Sequence, residues 1–171
     1  MKSDVLAEGR YLRLLTRNGW EFVERRNTSG IVVLIAVTDD RKLVLVEQWR
    51  EPVEARVIEL PAGLAGDVPG AEHEALTEAA RRELIEETGF DAGELEVVTV
   101  SPSSPGLTSE TYTIFVARHL VRVSAGGGDA SEDIVVHEVP VDGAEMWLEE
   151  QRRRGAMIDL KVYTGLHFAR R

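Results

Sequence analysis

The sequence predicts an α+β protein, of the kind that builds an α/β/α sandwich. Two observations carry this. Strand-like runs fill the first sixty residues, one long helix-forming stretch interrupts them, more strand-like runs follow, and two helical stretches close the chain. Ile31 to Val37 is apolar at every position, which marks a strand buried on both faces.

Taken in order, Gly9 to Arg17 holds Tyr11, Leu12, Leu14 and Leu15 and reads as a strand. Asn18-Gly19 is a strong hairpin turn signal, and Trp20 to Arg26 alternates as the return strand. A two-stranded hairpin is barely stable alone, so it must pack on its own domain or on a second subunit. Asp39-Asp40-Arg41 turns the buried strand into Lys42 to Gln48, after which Trp49-Arg50-Glu51-Pro52 leaves the sheet. Arg56 to Leu60 is a short strand ending at Pro61. Alanine, glutamate and leucine predict a helix from roughly Gly70 to Thr88, with Pro69 near its first turn and Gly89 just past its end. Strands follow at Leu95 to Ser101, Thr111 to Ala117 (extending toward Val121) and Ile134 to Val139. A Pro- and Gly-containing loop spans Ser103 to Ser109, and Gly126-Gly127-Gly128 makes Ser124 to Ser131 flexible. Gly143 to Arg154 and Asp159 to Ala169 read as helices separated by Gly155.

A chain of 171 residues suits one domain with a full core. Hydrophobic content of 43% and charged content of 29% are those of a soluble globular protein. No apolar run approaches the ~20 residues of a membrane span. Met1-Lys2-Ser3-Asp4 carries no apolar signal segment, and without cysteine there are neither disulfides nor thiolate metal sites. A cytoplasmic protein is expected. The net charge of −10 argues against a nucleic-acid partner and means that an anionic substrate needs local help from a metal or from arginines. His73-Glu74 has no second histidine at zinc-ligand spacing.

The long helix carries charges that do not suit an ordinary helix. Glu83, Glu86 and Glu87 share a face in its last two turns, where the dipole prefers cations. The spacing alone also reads as a solvated acidic face with Arg81 and Arg82 as counter-ions. A bound divalent cation would reverse the repulsion, and carboxylate oxygens suit Mg²⁺ or Mn²⁺.

Glu74, seven residues, then Arg82-Glu83-Leu84-Ile85-Glu86-Glu87-Thr88-Gly89-Phe90 resembles the Nudix box. The resemblance implies the Nudix fold, with a mixed central sheet and here an N-terminal antiparallel hairpin extension. It implies a loop–helix–loop that binds Mg²⁺ (or Mn²⁺) beside a diphosphate. The box glycine usually precedes the first glutamate by six residues, where this chain has Val68. Gly63 is the equivalent, so the loop is about five residues longer than the usual pattern.

The flanks resemble ADP-ribose pyrophosphatases. Glu59-Leu60-Pro61-Ala62-Gly63 is similar to their segment before the box, which implies a metal-shell role for the Ala62 carbonyl and places Glu59 with the substrate-binding residues. Pro105 lies at the distance after the box that marks this group, and Ser104 to Glu110 resembles its substrate loop, so Pro105, Gly106 and Glu110 join the substrate site, with Glu110 at the terminal ribose. Trp20-Glu21-Phe22-Val23-Glu24-Arg25 resembles the segment that supplies an adenine-stacking aromatic; Trp20 is the first choice and Phe22 its substitute. Arg25 and Arg50 fall where diphosphate-binding arginines lie. Glu132 is the implied base outside the box, with Asp129 and Asp133 as alternatives.

The metal set implied is Glu83, Glu86, Glu87 and Ala62; the catalytic set is Glu132, Glu86 and Arg82, with Arg82 holding the box glutamates. The expected reaction is hydrolysis of ADP-ribose to AMP and ribose 5-phosphate. The alternatives are another nucleoside diphosphate compound, such as a nucleotide sugar or FAD, and a catalytically silent metabolite-binding module. The resemblance also implies a homodimer, with residues 1–30 as the dimerising, adenine-binding hairpin and residues 31–171 as the hydrolase domain.

Overall fold

The computed structural model describes residues 2–68, 70–128 and 132–171. Pro69 and Asp129, both named above, lie outside the described residues. Among the described residues, two sheets, three α-helices and a short 3-10 helix (Glu51–Val53) form. The first sheet is antiparallel and three-stranded: β1 (Asp4–Glu8), β2 (Leu12–Arg17) and β3 (Trp20–Arg25) in that order. Arg17 pairs with Trp20 across Asn18-Gly19, both at positive φ, so the expected two-residue hairpin is present. The exposed strand β1 was not expected; it pairs along the outer edge of β2.

The second sheet is mixed and is built around β4 (Gly30–Val37). β9 (Thr111–Arg122) runs parallel along β4, and β8 (Phe90–Pro102) pairs antiparallel beyond it. β5 (Lys42–Arg50) bonds β4 only at Ala36–Val44 and Val37–Leu43 and then diverges. It continues against β6 (Ala55–Glu59) and β10 (Val135–Pro140). The edge of β4 that β5 leaves is taken by β7 (Ala62–Ala65). Two-residue β11 (Met157–Ile158) runs parallel to β6. This divergence of β5 from β4 opens the cleft described below.

Alternation along β4 divides the core. Val32, Leu34 and Ala36 pack with Ala79, Ala80, Leu84 and Phe115 beneath α1 (Leu76–Thr88). Val33, Ile35 and Val37 pack with Leu148, Val162 and Leu166 beneath α2 (Ala144–Arg153) and α3 (Leu160–Ala169). Opposite side-chain directions on a pleated strand thus produce helices on both faces, the expected α/β/α sandwich. Among the described residues no helix is long and apolar enough to cross a membrane.

Four expectations need correction. The long helix starts at Leu76, not near Gly70. Glu74 makes two bonds to Arg82, each 3.0 Å. Eight residues span about 12 Å in a continuous helix, so this bidentate pair forms only because the chain leaves the helix before Glu74. Its C-terminal end is as expected, at a left-handed Gly89 whose N–H bonds the Ile85 carbonyl. Trp49 and Arg50 stay in β5, since β6 gives them backbone partners. β8 begins at Phe90 rather than Leu95 because β9 is long enough to pair with all of it. Gly126-Gly127-Gly128 is held rather than loose: the N–H groups of Gly127 and Gly128 donate to the carbonyls of Glu87 (2.8 Å) and Glu86 (2.9 Å) at the end of α1.

Leu84 is fully buried between α1 and the sheet. Leu84→Ala is expected to lower unfolding free energy by roughly 2–5 kcal/mol, measured by equilibrium urea denaturation.

Candidate active site

Where β5 and β6 separate from β4 and β7, a cleft of about 430 Å³ opens over the C-terminal half of α1. Arg50 and Glu59 line one wall, Ala62, Gly63, Glu83 and Glu87 the floor, and Arg25, Glu110 and Glu132 the mouth. Nine residues singled out from the sequence thus converge from β3, β5, β6, β7, α1 and two loops.

Gly63 lets the floor form. A Cβ there would lie 1.9 Å from the Glu83 carboxyl carbon, so only glycine leaves room for that carboxylate against the backbone. Gly63 pairs with Val32 in β4, which fixes its position. One turn on, Glu87 is 4% exposed and accepts a 3.0 Å hydrogen bond from the Ala62 N–H. Burial pushes the Glu87 carboxyl up to about 8, opposed by that bond and reinforced by Glu83 and Glu132. Burial likewise pushes Glu83 up to about 7, opposed by Arg82. Two carboxyl groups are therefore held where neither is well stabilised as an anion.

Among the described residues, no three His, Asp or Glu side chains converge closely enough to hold a metal by themselves. The donor set still fits a hard divalent cation. Two under-stabilised carboxylates line one cleft, the cradle at Gly63 exists only for one of them, and such a cation keeps several waters when bound.

Arg82 holds this arrangement and does not line the cleft. Besides Glu74, it donates to the Leu64 carbonyl (2.9 Å), Glu83 (2.8 Å) and Glu86 (3.1 Å). Glu86 is exposed and does not line the cleft, but it stays in the expected group: Arg82 Nη1 bonds both Glu83 and Glu86, and the Glu86 charge helps to raise Glu83. Each arginine of the cleft has a carboxylate partner: Arg50 bonds Glu59 (2.6 Å) and Arg25 bonds Glu110 (2.7 Å). Of the acidic candidates after the glycines, Glu132 lines the cleft, whereas Asp133 turns to Arg56 (2.9 Å).

Trp20, Pro105 and Gly106 do not line the cleft. They stand beside it: the Trp20 indole N–H reaches the Gly106 carbonyl (3.3 Å), and β3 docks on the 103–110 loop through Val23 and Leu107 (2.8 Å). Phe22 lies under the Arg17 guanidinium, 5.0 Å from ring centre to carbon.

Sequence reasoning missed Gln48, Asp67, Tyr112 and Lys161, which also line the cleft. Asp159 caps α3, accepting from the Lys161 N–H (2.7 Å), and its second oxygen takes the Lys161 Nζ (2.5 Å), which sits 4.9 Å from the centre of the Tyr112 ring. The cap was legible from Asp159; the nearness of α3 to β9 was not.

Three comparisons bear on this site. A family model described as the NUDIX domain matches residues 28–159. The chain is 36% identical to the ADP-ribose pyrophosphatase of Bacillus subtilis over 71% of its own length, and 36% identical to a methanol dehydrogenase activator of Bacillus methanolicus over 72%. Each match spans 64% of the relative. It is 32% identical to a GDP-mannose pyrophosphatase of Salmonella arizonae, covering 91% of this chain and 82% of that one. A crystal structure of an ADP compounds hydrolase superposes with a TM-score of 0.64 at 28% identity, over 87% of this chain and 84% of the other.

The raised carboxyls give a pH signature. Glu87 carries its proton to about pH 8 in the folded chain and to about 4.5 when unfolded, so it stabilises the metal-free fold below about pH 4.5 and that contribution is lost as pH rises through about 8. Metal-free Glu87→Gln is expected to show a melting temperature that falls less than the parent's between pH 5 and 8, and the parent's loss is expected to shrink with added Mn²⁺, both read by differential scanning calorimetry.

Proposed function

This chain belongs to the NUDIX family, and we propose that it hydrolyses the diphosphate bond of ADP-ribose to AMP and ribose 5-phosphate. The observation that carries the reading is the placement of Glu83 and Glu87, on a glycine-cradled floor, facing a cleft with Arg50 on its wall and Arg25 at its mouth. Glu83 and Glu87 would hold Mg²⁺ or Mn²⁺, with the Ala62 carbonyl as a further ligand and Glu86 reaching it through water. Such a cation supplies neutralisation of the diphosphate and acidification of a water molecule.

The chain's own groups do the rest. Arg25 and Arg50 present guanidinium forks that match phosphate oxygens bidentately. Their pairing with Glu110 and Glu59 keeps both forks ordered before substrate arrives. Lys161 adds a third positive charge at the same cleft. Glu132 takes the proton of the attacking water as its oxygen bonds to phosphorus and the phosphorus–bridging oxygen bond breaks. Arg82 keeps Glu83 aligned without touching substrate. The substrate loop, with Pro105, Gly106 and Glu110, would receive the terminal ribose.

GDP-mannose pyrophosphatases match this chain over the greater length, which favours a nucleotide sugar as the second reading, run by the same machinery. A phosphate-release assay coupled to a phosphatase, over ADP-ribose, GDP-mannose and FAD, separates the two. The highest kcat/KM is expected for ADP-ribose, with all turnover lost in EDTA. Glu132→Gln is expected to lower kcat at least about 100-fold with KM changed only a few-fold, as loss of a general base requires.

Residues 1–30 are proposed as the unit that carries the adenine contact and the interface of a homodimer, and residues 31–171 as the hydrolase domain. β1 is exposed at all five positions, and Val5, Leu6, Tyr11 and Leu12 show apolar surface to solvent. The ring of Trp20 is 62% exposed beside the substrate loop, a free face for a base. Sedimentation at micromolar concentration is expected to give twice 18.9 kDa, and Trp20→Ala to raise KM with that mass unchanged.

A further inference from the structure

Glu132 is the one proposed reacting group carried by neither strand nor helix. What fixes it is visible on both sides of it in the chain. On the N-terminal side, Gly127 and Gly128 donate to the last carbonyls of α1 and so bolt the loop to the helix that carries Glu83 and Glu87. Gly128 has φ +78°, and a Cβ there would lie 2.3 Å from the Glu132 carboxylate, so the chain passes directly against that side chain.

On the C-terminal side the next residue, Asp133, accepts from Arg56 Nη1 at 2.9 Å. Arg56 is on β6, and its Nε donates to Glu47 on β5 at 2.8 Å. The other oxygen of Glu47 meets His137 Nε2 on β10 at 2.9 Å. Three adjacent strands of the central sheet therefore place one guanidinium, and that guanidinium holds the residue beside Glu132.

We infer that Asp133, gripped by Arg56, is a positioning residue that sets the Glu132 carboxylate over the cleft floor; this rests on the base role proposed above. Stability is a poor reason for the contact. Asp133 has a side chain 83% exposed, and ion pairs that exposed contribute little to folding. Geometry is a better one, since misplacing a reacting group by about 1 Å costs up to about 100-fold in rate. Asp133 itself faces away from the floor and lines no part of the cleft.

The test is a double-mutant cycle on the full chain with its divalent metal and ADP-ribose. Asp133→Ala is expected to lower kcat about tenfold, with KM within about twofold and the melting temperature unchanged. In a Glu132→Gln background the same change is expected to have no further effect, because there is no base left to position. Arg56→Lys, which keeps the charge but not the fork, is expected to fall between the parent and Asp133→Ala. Equal losses in both backgrounds, or a kcat for Asp133→Ala within twofold of the parent while Glu132→Gln is strongly impaired, would overturn the positioning role and leave the function reading standing. A Glu132→Gln protein as active as the parent would overturn the base role and the positioning role together, whereas an absence of ADP-ribose turnover in the parent would overturn the function reading itself.

Discussion

One guanidinium, that of Arg82, ties together the parts from which the site is made. It takes both oxygens of Glu74 in the loop, a main-chain oxygen of β7 at Leu64, and Glu83 and Glu86 on its own helix. A planar fork with five donors can do this; an ammonium cannot. Because it spends those donors on the scaffold, it fixes the distance between α1 and β7 and thereby the cradle in which Glu83 rests on Gly63. The same demand shortens the helix, since Glu74 reaches Arg82 only from outside it.

The cleft follows from a feature of the sheet. β4 cannot pair with β5 along its whole length, because β5 has committed its later residues to β6. β7 fills the vacated edge of β4, and the chain entering β7 carries Ala62 and Gly63 to the floor. Among the described residues, the one hydrogen bond donated to the buried Glu87 carboxyl comes from the Ala62 N–H. One bond does not offset the loss of water around a charge, which is why the carboxyl is held up and why an oxygen-seeking cation suits the place.

Around that floor the charges are arranged in facing pairs. Arg25 with Glu110 and Arg50 with Glu59 join four long side chains in two ion pairs at the mouth and wall of the cleft. In each pair the carboxylate is largely buried and the guanidinium partly exposed. On the function proposed above, their value lies in pre-ordering cationic forks in a chain whose net charge is −10.

Much was legible in the sequence because it depends on local chemistry. The Asn18-Gly19 turn, the buried strand at 31–37, the left-handed Gly89 and the terminal helices follow from backbone preferences and apolar periodicity. Helical spacing put Glu83 and Glu87 on one face, and the box pattern singled them out, as its position before the box did Gly63. What the sequence could not decide is what depends on which segments meet. Helix-forming residues run through Ala71 to Ala75, yet that segment is taken up by turns bonded Ala71 to Val68 and Glu74 to Ala71, and Glu74 is held by Arg82 instead of joining the helix. Spacing groups Glu86 with its neighbours, and only the packing of α1 on β7 decides that Glu83 and Glu87, not Glu86, line the cleft. The glycine run reads as slack, yet the end of α1 binds it. Gln48, Tyr112 and Lys161 reach the cleft from β5, β9 and α3, elements far apart in sequence whose meeting is set by packing against β4, an arrangement that no local pattern of residues contains.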